Sequence, residues 1–74
     1  MEKWGICMKF QLKDDYITLA QLLKACDIVS TGGEAKLFLA ECNVWVNDQP
    51  ENRRGKKIYK GDVVKTDHDT IEVE

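Results

Sequence analysis

The residues best suited to chemistry lie in one basic segment between positions 53 and 60. Its five cations, among eleven in the chain, are Arg53, Arg54, Lys56, Lys57 and Lys60, and no acid lies among them. Arginine binds phosphate through a bidentate fork, and lysine supplies a point charge. Together with Asn52 at its start, this basic segment is a candidate site for a polyanion. The alternative is an ordinary solvated surface loop.

The rest of the chain is acidic. Its 74 residues have a net charge of -2, yet the residues outside the basic segment carry six basic and thirteen acidic groups. Such an asymmetry indicates one local patch rather than a generally basic surface. A membrane headgroup is another possible anion, but no amphipathic helix or apolar anchor adjoins the segment, so we expect no membrane partner.

A second candidate anion site lies at the start of a predicted helix, in Thr31-Gly32-Gly33-Glu34. This is a capping box, in which the Thr31 side chain binds the Glu34 amide and the Glu34 side chain binds the Thr31 amide. The amides of Gly32 and Gly33 remain free, and such amides bind phosphate well. Lys36 adds a charge one turn later. The alternative is that the glycines only permit a sharp entry into the helix.

Catalysis and metal binding have little support in the sequence. The three cysteines are Cys7, Cys26 and Cys42. They form no C-x-x-C pair, and the single histidine, His68, lies in a predicted hairpin turn, so a zinc site or a disulfide framework is not expected. We interpret Cys26 and Cys42 as small core residues of a reduced protein. The sequence thus predicts a non-enzyme without a cofactor.

Hydrophobic periodicity outlines the elements in the first half of the chain. Apolar residues at every even position from 4 to 12 predict an N-terminal strand within 1–13. Thr18 and Gln21 form a capping box, and the apolar stripe that follows predicts a first helix from Leu19 to about Cys26. The second helix is predicted from Gly32 to Glu41, with Asn43 as a left-handed C-cap.

Short strands follow the helices. They are predicted at 44–46, 57–59, 63–66 and 70–73, with a turn at Asn47-Asp48, a loop at 49–55 and a tight turn at 60–62. Trp45 and Tyr59 are aromatics near the basic segment; packing in the core is favoured, and stacking on an unpaired base is the alternative. The element order predicts one α+β domain over 1–74, with a two-helix hairpin on a small antiparallel sheet and an extra N-terminal strand.

The sequence contains no targeting or membrane signal. Residues 1–13 lack a continuous apolar h-region, and no apolar run approaches the roughly 20 residues of a membrane span. We therefore expect a cytoplasmic protein.

Five segments of the sequence resemble a known family. They are ITLAQLLK at 17–24, STGGEAK at 30–36, VWVN at 44–47, ENRRGKK at 51–57 and GDVV at 61–64. Together they resemble the RNA-binding domain named after bacterial small-subunit ribosomal protein S-four, and more narrowly its YaaA-like subfamily of small bacterial proteins. The resemblance covers the core at about 16–65, and leaves the N-terminal strand and part of the C-terminal hairpin at 63–74 outside.

The resemblance implies the alpha-L motif, in which the second helix and the following hairpin dock on structured RNA. Carried over by position, the helix-start contacts are Thr31, Gly32, Gly33 and Lys36. Asn47 and the basic residues at 53–57 join them. Many relatives have arginine where Gly32 stands, and many have glycine at the positions of Cys42 and Asp48, so Asp48 adds a negative charge near this face.

Two functions from different classes follow. The first is a small RNA-binding protein that docks on structured RNA through the helix start and the basic segment, with ribosomal RNA and a ribosomal subunit as expected partners in ribosome assembly or function. The second is a protein-interaction adaptor whose basic segment binds an acidic partner. The residues alone indicate only a polyanion, and the choice of RNA comes from the family resemblance.

Overall fold

The computed structural model describes residues 6–74, and the side chains from residue 8 onward. Its elements, in chain order, are β1 Ile6–Phe10, β2 Ile17–Thr18, α1 Leu19–Ala25, α2 Gly32–Glu41, β3 Val44–Val46, β4 Gln49–Pro50, β5 Lys57–Ile58, β6 Val63–Thr66 and β7 Asp69–Val73. The first five residues of the predicted N-terminal strand, with Trp4, lie outside the described residues, as does the side chain of Cys7.

The α+β class is confirmed, with one difference in the sheet. Within the described residues, one sheet has the strand order β1-β7-β6-β3-β4, and β2 pairs with β5 in a separate two-stranded ribbon. β1 runs parallel to β7, whereas the other neighbours are antiparallel, so the sheet is mixed rather than wholly antiparallel. Both helices lie between β1 and β7 in the chain, and such a long connection permits parallel pairing.

Both helices begin where the sequence predicts. The α1 box is complete, since the Gln21 amide donates to Thr18 Oγ1 and the Thr18 amide to Gln21 Oε1, each at 3.2 Å. α1 ends at Ala25, and Asp27 follows in the left-handed region, at φ 63°. The amides of Asp27 and Ile28 donate to the carbonyls of Lys24 and Leu23, which is a Schellman ending.

The predicted left-handed cap at Asn43 was wrong. The extended backbone of Cys42 ends α2, and Asn43 does not have a positive φ. The left-handed residues are instead Asn47 and Asp48, at φ 52° and 70°, which form a two-residue turn between β3 and β4. Positive φ at both positions is the type I′ pattern that matches strand twist.

The predicted loop at 49–55 contains β4 at its start. Gln49 and Pro50 are both exposed and pair with β3 at the edge of the sheet. An edge strand accommodates proline because one side of its backbone needs no partner. Two exposed residues show no apolar alternation, which explains why the sequence did not reveal this strand.

One cluster of apolar side chains joins the helices to the sheets. Its buried members are Leu12, Leu19, Leu22, Leu23, Val29, Ala35, Leu39, Val44, Val46, Ile58, Val64, Ile71 and Val73. Met8 and Phe10 on β1 pack against it, as the alternation predicts.

Cys26 and Cys42 are half-buried free thiols. Burial raises the pKa of the Cys26 thiol, and the negative charge of Asp69 adds a smaller increase. Within residues 6–74, neither helix is long and apolar enough to cross a bilayer.

Leu23→Ala should reduce the free energy of unfolding by about 2–5 kcal/mol, because Leu23 is fully buried in this cluster. Leu37→Ala is the matched control, since Leu37 lies on α2 with 60% of its surface exposed and such changes usually cost less than about 0.5 kcal/mol. Urea denaturation of both variants makes the comparison, and equal losses would contradict the helix faces. Phe38 on α2 is only half-buried, so Phe38→Ala should cost less than Leu23→Ala.

Candidate nucleic-acid interface

The backbone of the basic segment is attached to the start of α1. The Leu19 amide donates to the Lys56 carbonyl at 2.8 Å, and the Ala20 amide donates to the Arg54 carbonyl at 3.1 Å. The segment is further closed by the Lys56 amide, which donates to the Arg53 carbonyl at 3.3 Å. Because the Arg54 and Lys56 carbonyls bind the helix, residues 53–57 form a fixed turn on the protein surface. We call this part of the basic segment the basic turn.

The cations of this turn face solvent. Arg53, Arg54, Lys57 and Lys60 are exposed, and Lys56 is half-buried. The carbonyls of the turn bind the helix, whereas its charged side chains extend into solvent. This surface can therefore contact phosphates without a rearrangement of its backbone. Preorganisation of this kind lowers the cost of binding.

The start of α1 is not a second anion seat. Its first two amides bind the basic turn, and the Gln21 amide binds Thr18 Oγ1. A helix leaves its first amides unsatisfied unless other groups cap them. At the start of α1, the carbonyls of the basic turn and the Thr18 side chain cap these amides, so none of the three is free to bind an anion.

The start of α2 differs. The Glu34 amide donates to Thr31 Oγ1 at 3.1 Å, as predicted, but the Glu34 carboxylate accepts from the Ser30 amide at 2.6 Å rather than from Thr31. The amides of Gly32 and Gly33 have no hydrogen-bond acceptor among residues 6–74. This is the free pair of donors that the sequence predicts, with exposed Lys36 one turn later.

Asn52 lies near the end of α2 that is opposite to the predicted anion site at the helix start. The end of α2 that lies near the basic segment is its C-terminal end, because residues 39–43 line one hollow together with 50–52, including Asn52. The ten residues of α2 span about 15 Å. The start of α2 therefore lies roughly a helix length from Asn52.

Arg53 is already paired. Its Nε donates to Glu51 Oε2 at 2.8 Å and its Nη2 to Glu51 Oε1 at 3.2 Å, while the Arg53 amide also reaches Oε2 at 3.1 Å. The hydrogen bonds from Arg53 hold the pKa of Glu51 below its usual value, and Glu51 raises the pKa of Arg53. A phosphate would have to compete with Glu51 for this guanidinium, so Arg54, Lys56 and Lys57 are the more available cations.

Asn47, which is predicted to contact RNA, holds two turns together in the structure. Its Nδ2 donates to Asp62 Oδ1 at 3.1 Å, and its Oδ1 accepts from the Val63 amide at 2.9 Å. The Tyr59 amide donates to the other Asp62 oxygen at 2.8 Å. Asn47 thus joins two turns and lines a hollow together with Lys56, Lys57 and Tyr59.

Two further charges near this face are placed by the structure. From the sequence, Asp48 is expected to be an unfavourable negative charge. In the structure, Asp48 Oδ1 lies 3.3 Å from Lys65 Nζ, so the two form an ion pair. Lys60 lies in the tight turn before Asp62 and lines a hollow with Lys13, Asp14 and Tyr59. The charges on this side are therefore mixed, because Asp14 and Asp15 line the same hollow as Lys13 and Lys60.

The aromatic side chains differ from the expectation of core packing. Trp45 is half-buried, but 48% of Tyr59 is exposed, so core packing was wrong for Tyr59. Tyr16, which the sequence did not single out, is 42% exposed and contacts Tyr59. Tyr16 precedes the two-residue strand β2, which no local pattern reveals, so the sequence carried no signal for the exposure of this ring.

No metal centre is evident in the described part of the chain, which contains no cluster of three or more potential ligands from His, Cys, Asp and Glu.

Comparison with known proteins identifies the family. A family model described as "S4 domain" matches residues 10–74, which is nearly the whole chain. The chain belongs to the S4 domain family. A curated relative from Bacillus subtilis (strain 168), "Probable ribosome maturation protein RlbA", is 58% identical over 50 residues, covering 68% of this chain and 70% of the relative. These matches confirm the resemblance to the S-four-type RNA-binding domain.

The Glu51–Arg53 pair predicts an acid-dependent loss of stability. Because the pKa of Glu51 is lowered from 4.5 in the folded protein, its stabilising effect is present above about pH 4.5 and is lost as pH falls through the folded pKa. Glu51→Gln should therefore be less stable than wild type at pH 7, and the difference should shrink in acid. Urea denaturation of both proteins at pH 7, and at a pH below the folded pKa of Glu51, measures this difference in stability.

The control for this prediction is the Arg53→Gln background. Glu51→Gln added to that background should show a smaller effect at pH 7, because the pair is already broken. If Glu51→Gln lowers the free energy of unfolding equally with and without Arg53, the Glu51–Arg53 pair does not stabilise the folded protein.

Proposed function

We propose that this protein is a non-enzymatic, cytoplasmic RNA-binding protein that docks on structured ribosomal RNA and acts in ribosome maturation. The observation that carries the proposal is the basic turn on α1, whose carbonyls bind the helix start while Arg54, Lys56 and Lys57 extend outward. Membership of the S4 domain family supports RNA as the polyanion. The name of the Bacillus subtilis relative supports the ribosomal context.

Phosphate contacts hold the protein on the RNA in this proposal. Lysine and arginine contacts to phosphate position a protein but do not read base sequence. Specificity then comes from the shape of the folded RNA. The outward cations of the turn form the first contact region, with Asn52 at its edge.

The start of α2 forms the second contact region. The free amides of Gly32 and Gly33, with Thr31 beside them and Lys36 one turn later, bind a phosphate at a distance of roughly one helix length from Asn52. Two separated contacts favour an extended RNA surface over a single small anion.

A competition experiment distinguishes RNA binding from the adaptor function. Filter binding compares folded ribosomal RNA, duplex DNA and an acidic polypeptide at several salt concentrations. Preference for ribosomal RNA at about 0.15 M salt supports the proposal, because non-specific electrostatic binding weakens steeply with salt. Equal binding of all three polyanions would contradict it, and preference for the polypeptide would favour the adaptor.

The basic turn should determine the salt dependence of RNA binding. Each phosphate contact contributes about 0.7 to 0.9 to the slope of log affinity against log salt. Changing Arg53, Arg54, Lys56 and Lys57 to Ala should therefore flatten the slope by about two to three units, the lower figure applying if Glu51 retains Arg53. Filter binding at several salt concentrations measures the slope.

A charge-matched control compares two double variants: Arg54→Ala with Lys56→Ala in the turn, and Lys9→Ala with Lys24→Ala outside it. Both remove two positive charges, but only the first should flatten the slope, by roughly 1.4 to 1.8 units. Equal flattening by the two double variants would show that total charge rather than the basic turn determines binding.

Gly33→Asp should weaken RNA binding without unfolding the protein. A Cβ at Gly33 meets only Thr31 Oγ1, at an ordinary 3.8 Å, and a carboxylate near a helix start is favourable for the helix. The same carboxylate would repel a phosphate at the free amides. Gly33→Asn is the matched control, with the same shape and no charge. Equal RNA affinity of the two folded variants would remove the α2 start from the interface.

A further inference from the structure

An exposed aromatic pair lies beside the basic turn. The rings of Tyr16 and Tyr59 have centroids 6.1 Å apart and planes tilted by 54°, within the range of favourable aromatic contacts. Among the described side chains, the exposed large apolar ones are Tyr16, Leu37 and Tyr59, so two of the three form one contact. This concentration of exposed aromatic surface needs an explanation beyond core packing.

Strand alternation explains why these rings face outward. In the β2–β5 ribbon, Ile17 lies opposite Ile58, which is fully buried in the core. Neighbouring strand residues face the opposite side. Tyr16, which precedes β2, contacts both Lys57 and Tyr59, which follows β5, and these three exposed side chains form the outer face of the ribbon.

The outer face is held in place by specific contacts. The Tyr59 amide donates to Asp62 Oδ2 at 2.8 Å, and the Asp62 amide donates to the Tyr59 carbonyl at 3.0 Å. Lys57 Nζ lies 5.0 Å from the centroid of the Tyr16 ring, a cation–π contact. One face of Tyr16 is thus occupied by Lys57, which leaves Tyr59 as the more accessible ring.

Cations border Tyr59. Tyr59 lines one hollow together with Arg53, Gly55, Lys56 and Lys57. In a second hollow that Tyr59 lines, Lys60 and Lys13 lie with Asp14 and Asp15, so the first hollow is the cationic one. A nucleotide presents a flat aromatic base next to an anionic phosphate. The ring and the adjoining cations match both parts.

We propose that Tyr59, backed by Tyr16, stacks an unpaired RNA base whose flanking phosphate lies on Lys56 and Lys57. This inference rests on the proposed RNA-binding function and specifies the RNA: a duplex interrupted by a bulge or loop. Bases in a continuous duplex are stacked on their neighbours, whereas bulged and looped bases present a free face to aromatic side chains.

The test compares two RNA hairpins that differ only in a three-nucleotide bulge, which is paired in the second hairpin. Affinities are measured at about 0.05 M salt, where backbone electrostatics make both measurable. Wild type should prefer the bulged hairpin. Tyr59→Leu should weaken binding to the bulged hairpin roughly five- to 150-fold, which corresponds to the stacking of about one base, and leave the paired one nearly unchanged. Tyr59→Phe keeps the ring and should behave as wild type.

A second measurement uses the wild-type protein alone. 2-Aminopurine in the bulge loses fluorescence when it stacks, so its emission should fall on binding. Unchanged emission, or a Tyr59→Leu variant that weakens both hairpins equally or neither, would overturn the inference. The proposed function is tested separately, because the salt slope of the basic turn depends on cations that Tyr59→Leu leaves in place.

Discussion

Two backbone hydrogen bonds hold the candidate RNA interface in place, those from the Leu19 and Ala20 amides to the carbonyls of Lys56 and Arg54. They solve two problems at once. A helix start exposes amides that need acceptors, and a run of cations needs a rigid support. The basic turn provides the acceptors that the start of α1 needs, and α1 provides the rigid support that the turn needs. The adjacent β2–β5 ribbon holds the helix and the turn next to each other. Without this attachment, the fold would present its basic residues on a free loop.

Self-repulsion of the cations is reduced by neighbours of different kinds. Glu51 neutralises Arg53 through a bidentate pair, and the Tyr16 ring receives Lys57. Both contacts are short-range and partly exposed, so a polyanion can displace them at modest cost. Arg54 and Lys56 are not drawn into these two pairs. The free protein therefore keeps its basic turn ordered while leaving charge available to a partner.

Local signals predict local structure well in this chain. The capping residues Thr18 and Thr31, with the apolar stripes after them, place both helix starts correctly, because caps and periodicity act within a few residues. The attachment of residues 54–56 to α1, the parallel β1–β7 pairing and the short β2 and β4 strands depend on distant parts of the chain. No local pattern encodes them.

The candidate site shows the same division. Charge density alone located the basic segment, but the pairing of Arg53 with Glu51 and of Asn47 with Asp62 requires side-chain geometry. Tyr16 lies 43 positions before Tyr59 in the chain, so only the ribbon brings the two rings together. The free Gly32 and Gly33 amides were predictable because the hydrogen bond from the Glu34 amide to the Thr31 side chain, which leaves them unused, is local.

The parallel β1–β7 pairing also affects how the protein folds. Leu12 donates its amide to the Glu74 carbonyl, and Glu74 donates its amide to the Phe10 carbonyl, so the first described strand is held by the last. Closing so long a loop costs entropy before any of these bonds can form, and contacts distant in sequence slow folding. β1 cannot take its place until β7 exists, although the chain makes it first. We therefore expect this edge of the sheet to form late in folding, after contacts between residues closer in sequence.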